Sequence, residues 1–179
     1  MISSFSAHPK AQNKNSKIIM VAFLILAAIA IVVSMLMKKY MWVASMVALA
    51  SITTAILMYT KYVSVTFFYD ILADDGDDEP VFVVRQRIGK RDVTMCRVPL
   101  ADIISIKKET KAERKAHKKP SGVNLFVYAP TLSPDVSYRI FVSNRYEKSE
   151  VVLEGSDEFF DMLKRYAEEA RDIRASLEE

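Results

Sequence analysis

The chain has 179 residues, 51% hydrophobic and 26% charged, with a formal net charge of +3 that hides a segregation: residues 1–60 hold five lysines and no carboxylate, whereas residues 61–179 hold all 22 carboxylates and a net charge of −2. The single Cys96 excludes an intramolecular disulfide and fits a reducing compartment. Four glycines exclude a glycine-rich phosphate cradle, and no Walker loop, dinucleotide pattern, nucleophile elbow or zinc spacing occurs. Catalysis is therefore not expected, nor any cofactor or resident metal.

Residues 1–17 form a polar tail. Ile18 to Met37 is an apolar run interrupted only by the hydroxyl of Ser34, and a second run follows from Met41 to about Thr60 after the short link Lys38-Lys39-Tyr40. At about 1.5 Å per residue each run spans a hydrocarbon core of about 30 Å. Residues 18–61 are thus read as a transmembrane helical hairpin. The first run exceeds the about 7–15 residues of a signal-peptide core, so this helix is expected to be retained. Lys10, Lys14 and Lys17 before the hairpin and Lys61 after it outnumber the two loop lysines, which favours both flanks in the cytoplasm.

Helix association in lipid depends on close approach of small side chains. Ala44, Ala48, Ser51 and Ala55 make one such stripe, and Ala27, Ala30 and Ser34 make its counterpart. Ser45, Thr53 and Thr54 are read as bonding back to their own helix carbonyls. No ionisable residue lies inside either run, which argues for an anchor over a transport pathway. Trp42, Tyr59 and Tyr62 sit where interfacial anchors belong.

From residue 62 the chain turns β-branched and aromatic, and seven strands are expected: 62–72, 81–88, 93–98, 103–106, 123–128, 136–142 and 151–153. The acidic turn Asp74 to Glu79 breaks the first, and it lacks the ligand spacing of an EF-hand. Gly89-Lys90 reverses the second into the third. A polar tract runs from Lys107 to Gly122. The short connections predict a largely antiparallel sheet. Ser156 is a candidate N-cap, with Asp157 and Glu158 in the first turn. Phe159, Phe160, Leu163, Tyr166, Ala167, Ala170, Ile173 and Leu177 then recur at helical spacing, predicting one buried face. The fold class is thus a hairpin plus an α+β soluble domain over residues 62–179.

Seven short strands closed by a C-terminal amphipathic helix, with Ile88-Gly89-Lys90-Arg91, Val98-Pro99-Leu100-Ala101-Asp102-Ile103 and Ser156-Asp157-Glu158-Phe159-Phe160 in that order, resemble the pleckstrin-homology (PH) superfold in outline over residues 62–177. Together with the preceding hairpin, the chain resembles small bacterial membrane proteins that carry PH-like domains. The resemblance implies a seven-stranded antiparallel PH-like sheet or barrel and a binding role rather than a specific activity.

From Arg85 to Lys119 there are twelve basic and four acidic residues. Lys107, Lys108, Lys111, Arg114, Lys115, Lys118 and Lys119 crowd one stretch, a candidate contact for anionic lipid worth about 1 kcal/mol per basic residue near a headgroup layer. Lys90 and Arg91 stand where the resemblance implies lipid-facing basic side chains. No aromatic residue interleaves with the cluster, so nucleic acid is not expected as a partner. Cys96, between Met95 and Arg97, is read as strand packing, since nothing in the sequence points to a basic partner that would make it a nucleophile. His8 and His117, without ligand spacing, are read as solvent-exposed. The leading expectation is a non-enzymatic module of a bacterial cell membrane, multi-pass, with its tail and domain cytoplasmic. It would take a protein partner or a second copy at an open strand edge or a helix groove. Anionic-lipid binding is the alternative, and a thiol enzyme using Cys96 the remote third.

Overall fold

The computed structural model describes residues 4–9, 14–73, 79–118, 120–144 and 147–178. Asp74 to Asp78 of the acidic turn, Lys10 and Lys119 lie outside these. The chain forms two compact units, Gln12–Val65 and the combination of Met1–Ala11 with Thr66–Glu179.

In the first unit, helix α1 (Lys14–Leu36) and helix α2 (Met41–Met58) are joined by a tight turn over Lys38–Tyr40. Both are long and apolar enough to cross a membrane. Ala44, Ala48, Ser51 and Ala55 are buried on α2, and Ala27 and Ala30 on α1. Most of the surrounding Leu, Ile and Val side chains face outward, as a lipid-facing surface requires. Thr53 and Thr54 each donate to the carbonyl four residues back at 2.9 Å. Ser45 does otherwise: its hydroxyl meets that of Ser34 at 3.1 Å, because the small stripes bring the helices close enough for a cross-link between them. The helix also outlasts its expected end. A wide turn over Tyr59–Val63 continues it, and Thr60 and Ser64 bond back to carbonyls behind them. With no Gly or Pro to stop the ladder, the strand begins at Val65 rather than Tyr62.

The second unit holds eight strands among the described residues, in two four-stranded sheets rather than one seven-stranded sheet or closed barrel. The additional strand, β1 (Phe5–Ala7), comes from the polar tail, and three residues are too few to show a period. It pairs antiparallel with β2 (Val65–Leu72), next to which lie β3 (Val81–Ile88) and β4 (Arg91–Pro99). Ser6 Oγ donates to the buried Asp70 at 2.5 Å, and Phe5 stacks on Phe159. Gly89, at φ +63°, makes the β3–β4 turn that L side chains disfavour.

The second sheet contains β5 (Ile103–Thr110), β6 (Val123–Val127), β7 (Val136–Ser143) and β8 (Lys148–Leu153) in the order β5-β7-β8-β6. Here the antiparallel expectation needs correcting: β6 bypasses β7 and pairs parallel with β8. The connection after β6 carries Pro130 and Pro134 and is too long for a tight hairpin. Instead Thr131 is fastened to Glu154 beyond the end of β8, through its N–H at 3.1 Å and its hydroxyl at 2.9 Å. Part of the polar tract is also ordered, as the short helix α3 (Lys111–Ala116).

Helix α4 (Asp157–Glu178) closes the core, and Ser156 Oγ accepts from Phe159 N–H at its start. Phe159, Phe160, Leu163, Tyr166, Ala167 and Ala170 are buried, and Phe160 stacks on Tyr138. Ile173 and Leu177 are not buried, at 49% and 80% exposed. Tyr69 links the two sheets, donating to the Tyr128 carbonyl at 2.9 Å.

Candidate functional site

Strand β5 ends its sheet among the described residues, with β7 on one side, and α4 packs over the face that carries Ile106, Lys108 and Tyr138. The register slips between Ile103 and Ser105, and Ile104 is left 54% exposed. Two adjoining cavities follow the strand. One, of about 120 Å³, is lined by Ile103 through Ile106 and by Lys164, Ala167, Glu168 and Arg171. The other, of about 190 Å³, is lined by Ile106, Lys108, Tyr138, Phe160, Asp161 and Lys164 among others. Ile106 and Lys164 belong to both, so the cavities form one groove between a strand edge and a helix.

Ion pairs brace the groove at each end. Lys108 Nζ lies 2.7 Å from Asp157 Oδ2, and the Tyr138 hydroxyl donates to the same carboxylate. The Lys108 ammonium first, and then the Tyr138 hydroxyl, hold the Asp157 carboxyl below its usual range. At the far end Arg174 reaches Asp102 at 2.7 Å and Glu79 at 2.9 Å. Lysine, arginine and carboxylate alternate along the rim over an apolar floor.

The basic residues singled out above do not form one face. Lys108 is tied to α4 by the pair just described. Arg114 points inward, its guanidinium donating to Ser137 Oγ at 2.8 Å and to the Pro134 carbonyl at 2.7 Å. Lys111 and Lys115 are exposed one turn apart on α3, and Lys118 is exposed just beyond its end. Lys107 is exposed on β5 close to Glu113, whose carboxyl is lowered chiefly by the Thr110 N–H and hydroxyl and further by this lysine. Lys90 and Arg91 are exposed at the β3–β4 turn of the other sheet. A six-residue helix is not stable alone, and α3 persists through a capping box of Thr110 and Glu113 and its two inward anchors.

One of those anchors corrects the reading of His117, which is half-buried rather than solvent-exposed. Its Nε2 lies 3.2 Å from Glu150 Oε2, because α3 folds back over the sheet. Beneath it is a charged group that the sequence reading missed. Arg139 is 2% exposed and forks onto Glu109 at 2.8 and 2.9 Å while reaching Glu150 at 2.5 Å. Burial opposes the guanidinium charge, but the two carboxylates outweigh it and raise its pKa. Glu150 Oε1 has no hydrogen-bond partner among the described residues. The strand register places these residues diagonally on the outer face of the sheet. The signal available in the sequence was Glu109, Arg139 and Glu150 each interrupting a strand pattern.

Cys96 is half-buried on β4, and burial pushes its thiol up from the ordinary value, opposite to what a nucleophile needs. Exposed His8 packs edge-on against Phe68. Among the described residues no group of three His, Cys, Asp or Glu is placed to hold a metal ion.

No protein-family model, curated protein or solved structure matches this chain.

Proposed function

We propose that the chain is a membrane-anchored, non-catalytic module of PH-like type that takes an extended segment of a partner protein along β5, beside α4. One observation carries the reading: an edge strand that, among the described residues, no other strand covers borders a groove of two joined cavities. Strand addition satisfies the free backbone groups of an edge, and alternate side chains of the guest enter flanking pockets. The succession of seven strands and a C-terminal helix over residues 65–178, with the short α3 between the fourth and fifth of these strands, supports the PH-like assignment.

The anchor rests on α1 and α2. Pairing of β1 with β2 across the hairpin supports placing both flanks on one side of the bilayer, as two crossings require. The lysine balance favours the cytoplasmic side of a bacterial cell membrane for both.

The test places a photo-crosslinking residue at Ile104 in the full chain in its membrane. A discrete adduct is expected, and it should fall away when the exposed rim residues are reversed by Lys164→Glu with Arg171→Glu. An adduct at twice the chain mass identifies a second copy as the guest. No adduct, or one indifferent to the rim reversal, overturns the reading.

A further inference from the structure

The inner and outer sides of α3 do different work. Arg114 and His117 hold the helix to the sheet, leaving Lys111, Lys115 and Lys118 exposed, with no acidic partner among the described residues. Where this face ends, an apolar strip begins. His117 rests on Glu150, whose neighbour across the parallel pair is Leu125 of β6. Leu125 and Val127 therefore share the outer face with α3, while Phe126 shows on the other. The three consecutive residues are 40%, 58% and 41% exposed respectively. Strand β6 ends its sheet, and residues 123–127 carry no charge and no proline. A water-facing edge is normally guarded by one or the other.

We propose that this lysine face and the outward side of β6 together form a surface that lies against anionic lipid headgroups, Leu125 and Val127 entering the interfacial layer. Lysines beside an apolar strip are the combination that binds an anionic bilayer surface, since charge attracts and apolar area inserts. A second copy of the chain fits less well, because a two-fold pairing of β6 edges would set two like-charged lysine faces on the same side of the joined sheet. Nucleic acid is disfavoured because no aromatic side chain stands among the lysines. The inference rests on the membrane-anchored reading and is independent of the β5 groove.

The experiment compares amide exchange of the full chain in nanodiscs of phosphatidylcholine alone and of phosphatidylcholine with phosphatidylglycerol. Slower exchange at residues 111–118 and 123–127 is expected in the anionic discs. The gain should fall about fivefold for each lysine removed in Lys111→Gln, Lys115→Gln and Lys118→Gln, and survive Lys→Arg at the same positions. Core amides of Ile140 and Val151 monitor the fold. If the glutamine variant loses those, Leu125→Asp with Val127→Asp supplies the second test and should also abolish the gain. Equal exchange in both lipids, a gain that survives loss of the three charges, or protection only by an added soluble polyanion overturns the proposal. Extraction of the chain from membranes by alkaline carbonate would instead sink the anchor, and so separates the two failures.

Discussion

Replacing Arg139 by methionine removes the one cation that Glu109 and Glu150 share at the centre of the second sheet. The two carboxylates are 2% and 1% exposed, and Glu150 Oε1 already lacks a partner among the described residues. Three charge-assisted hydrogen bonds disappear at once. Breaking a buried ion pair from one side costs about 3–5 kcal/mol, because the remaining charge stays desolvated. At roughly 4 °C per kcal/mol for a domain of this size, the melting temperature should fall by about 12–20 °C. The readout is near-ultraviolet dichroism of the full chain in detergent, to which the stacked Tyr138 and Phe160 contribute. Glu109→Leu, Arg139→Met and Glu150→Leu made together remove the charges as well as the pairing, and should recover most of the loss or exceed the parent. A single-variant loss below about 1 kcal/mol, or a triple variant as unstable as the single, would refute the reasoning.

Asp157 offers a pH test. Its pKa is lowered from the ordinary 3.8 by Lys108 and then Tyr138, so its stabilisation is present above that value and disappears as pH falls through the depressed one. Asp157→Asn should therefore be less stable near neutrality and show a smaller acid-induced loss below the usual carboxylate range, followed by the same dichroism band. Cys96 is raised by burial, so at neutral pH a thiol probe should label the folded chain much more slowly than the unfolded one. Rapid labelling would favour the thiol-enzyme reading.

Much of this architecture is local and therefore legible in residue order. Two runs long enough for a bilayer and a three-residue link define the hairpin, since helix length and lipid thickness are properties of each segment alone. Alternating and β-branched stretches mark the seven strands of the domain to within a few residues, and Ser156 marks the start of α4 because a cap acts within one turn. Partnership is another matter. A period of two tells which face of a strand is apolar but not which strand lies beside it, so the parallel union of β6 with β8 and the addition of β1 emerge only when the chain closes. The same holds for the basic tract. Residue order makes Lys108, Arg114 and Lys118 equivalent, whereas packing ties the first to Asp157 and the second to Ser137 and Pro134, leaving the third exposed. Ile173 and Leu177 continue the helical stripe yet stay exposed, since burial requires a facing surface that residue order does not specify. The groove and the Glu109–Arg139–Glu150 group likewise exist only between elements distant in sequence, where the folded backbone sets each separation and each charge's access to water.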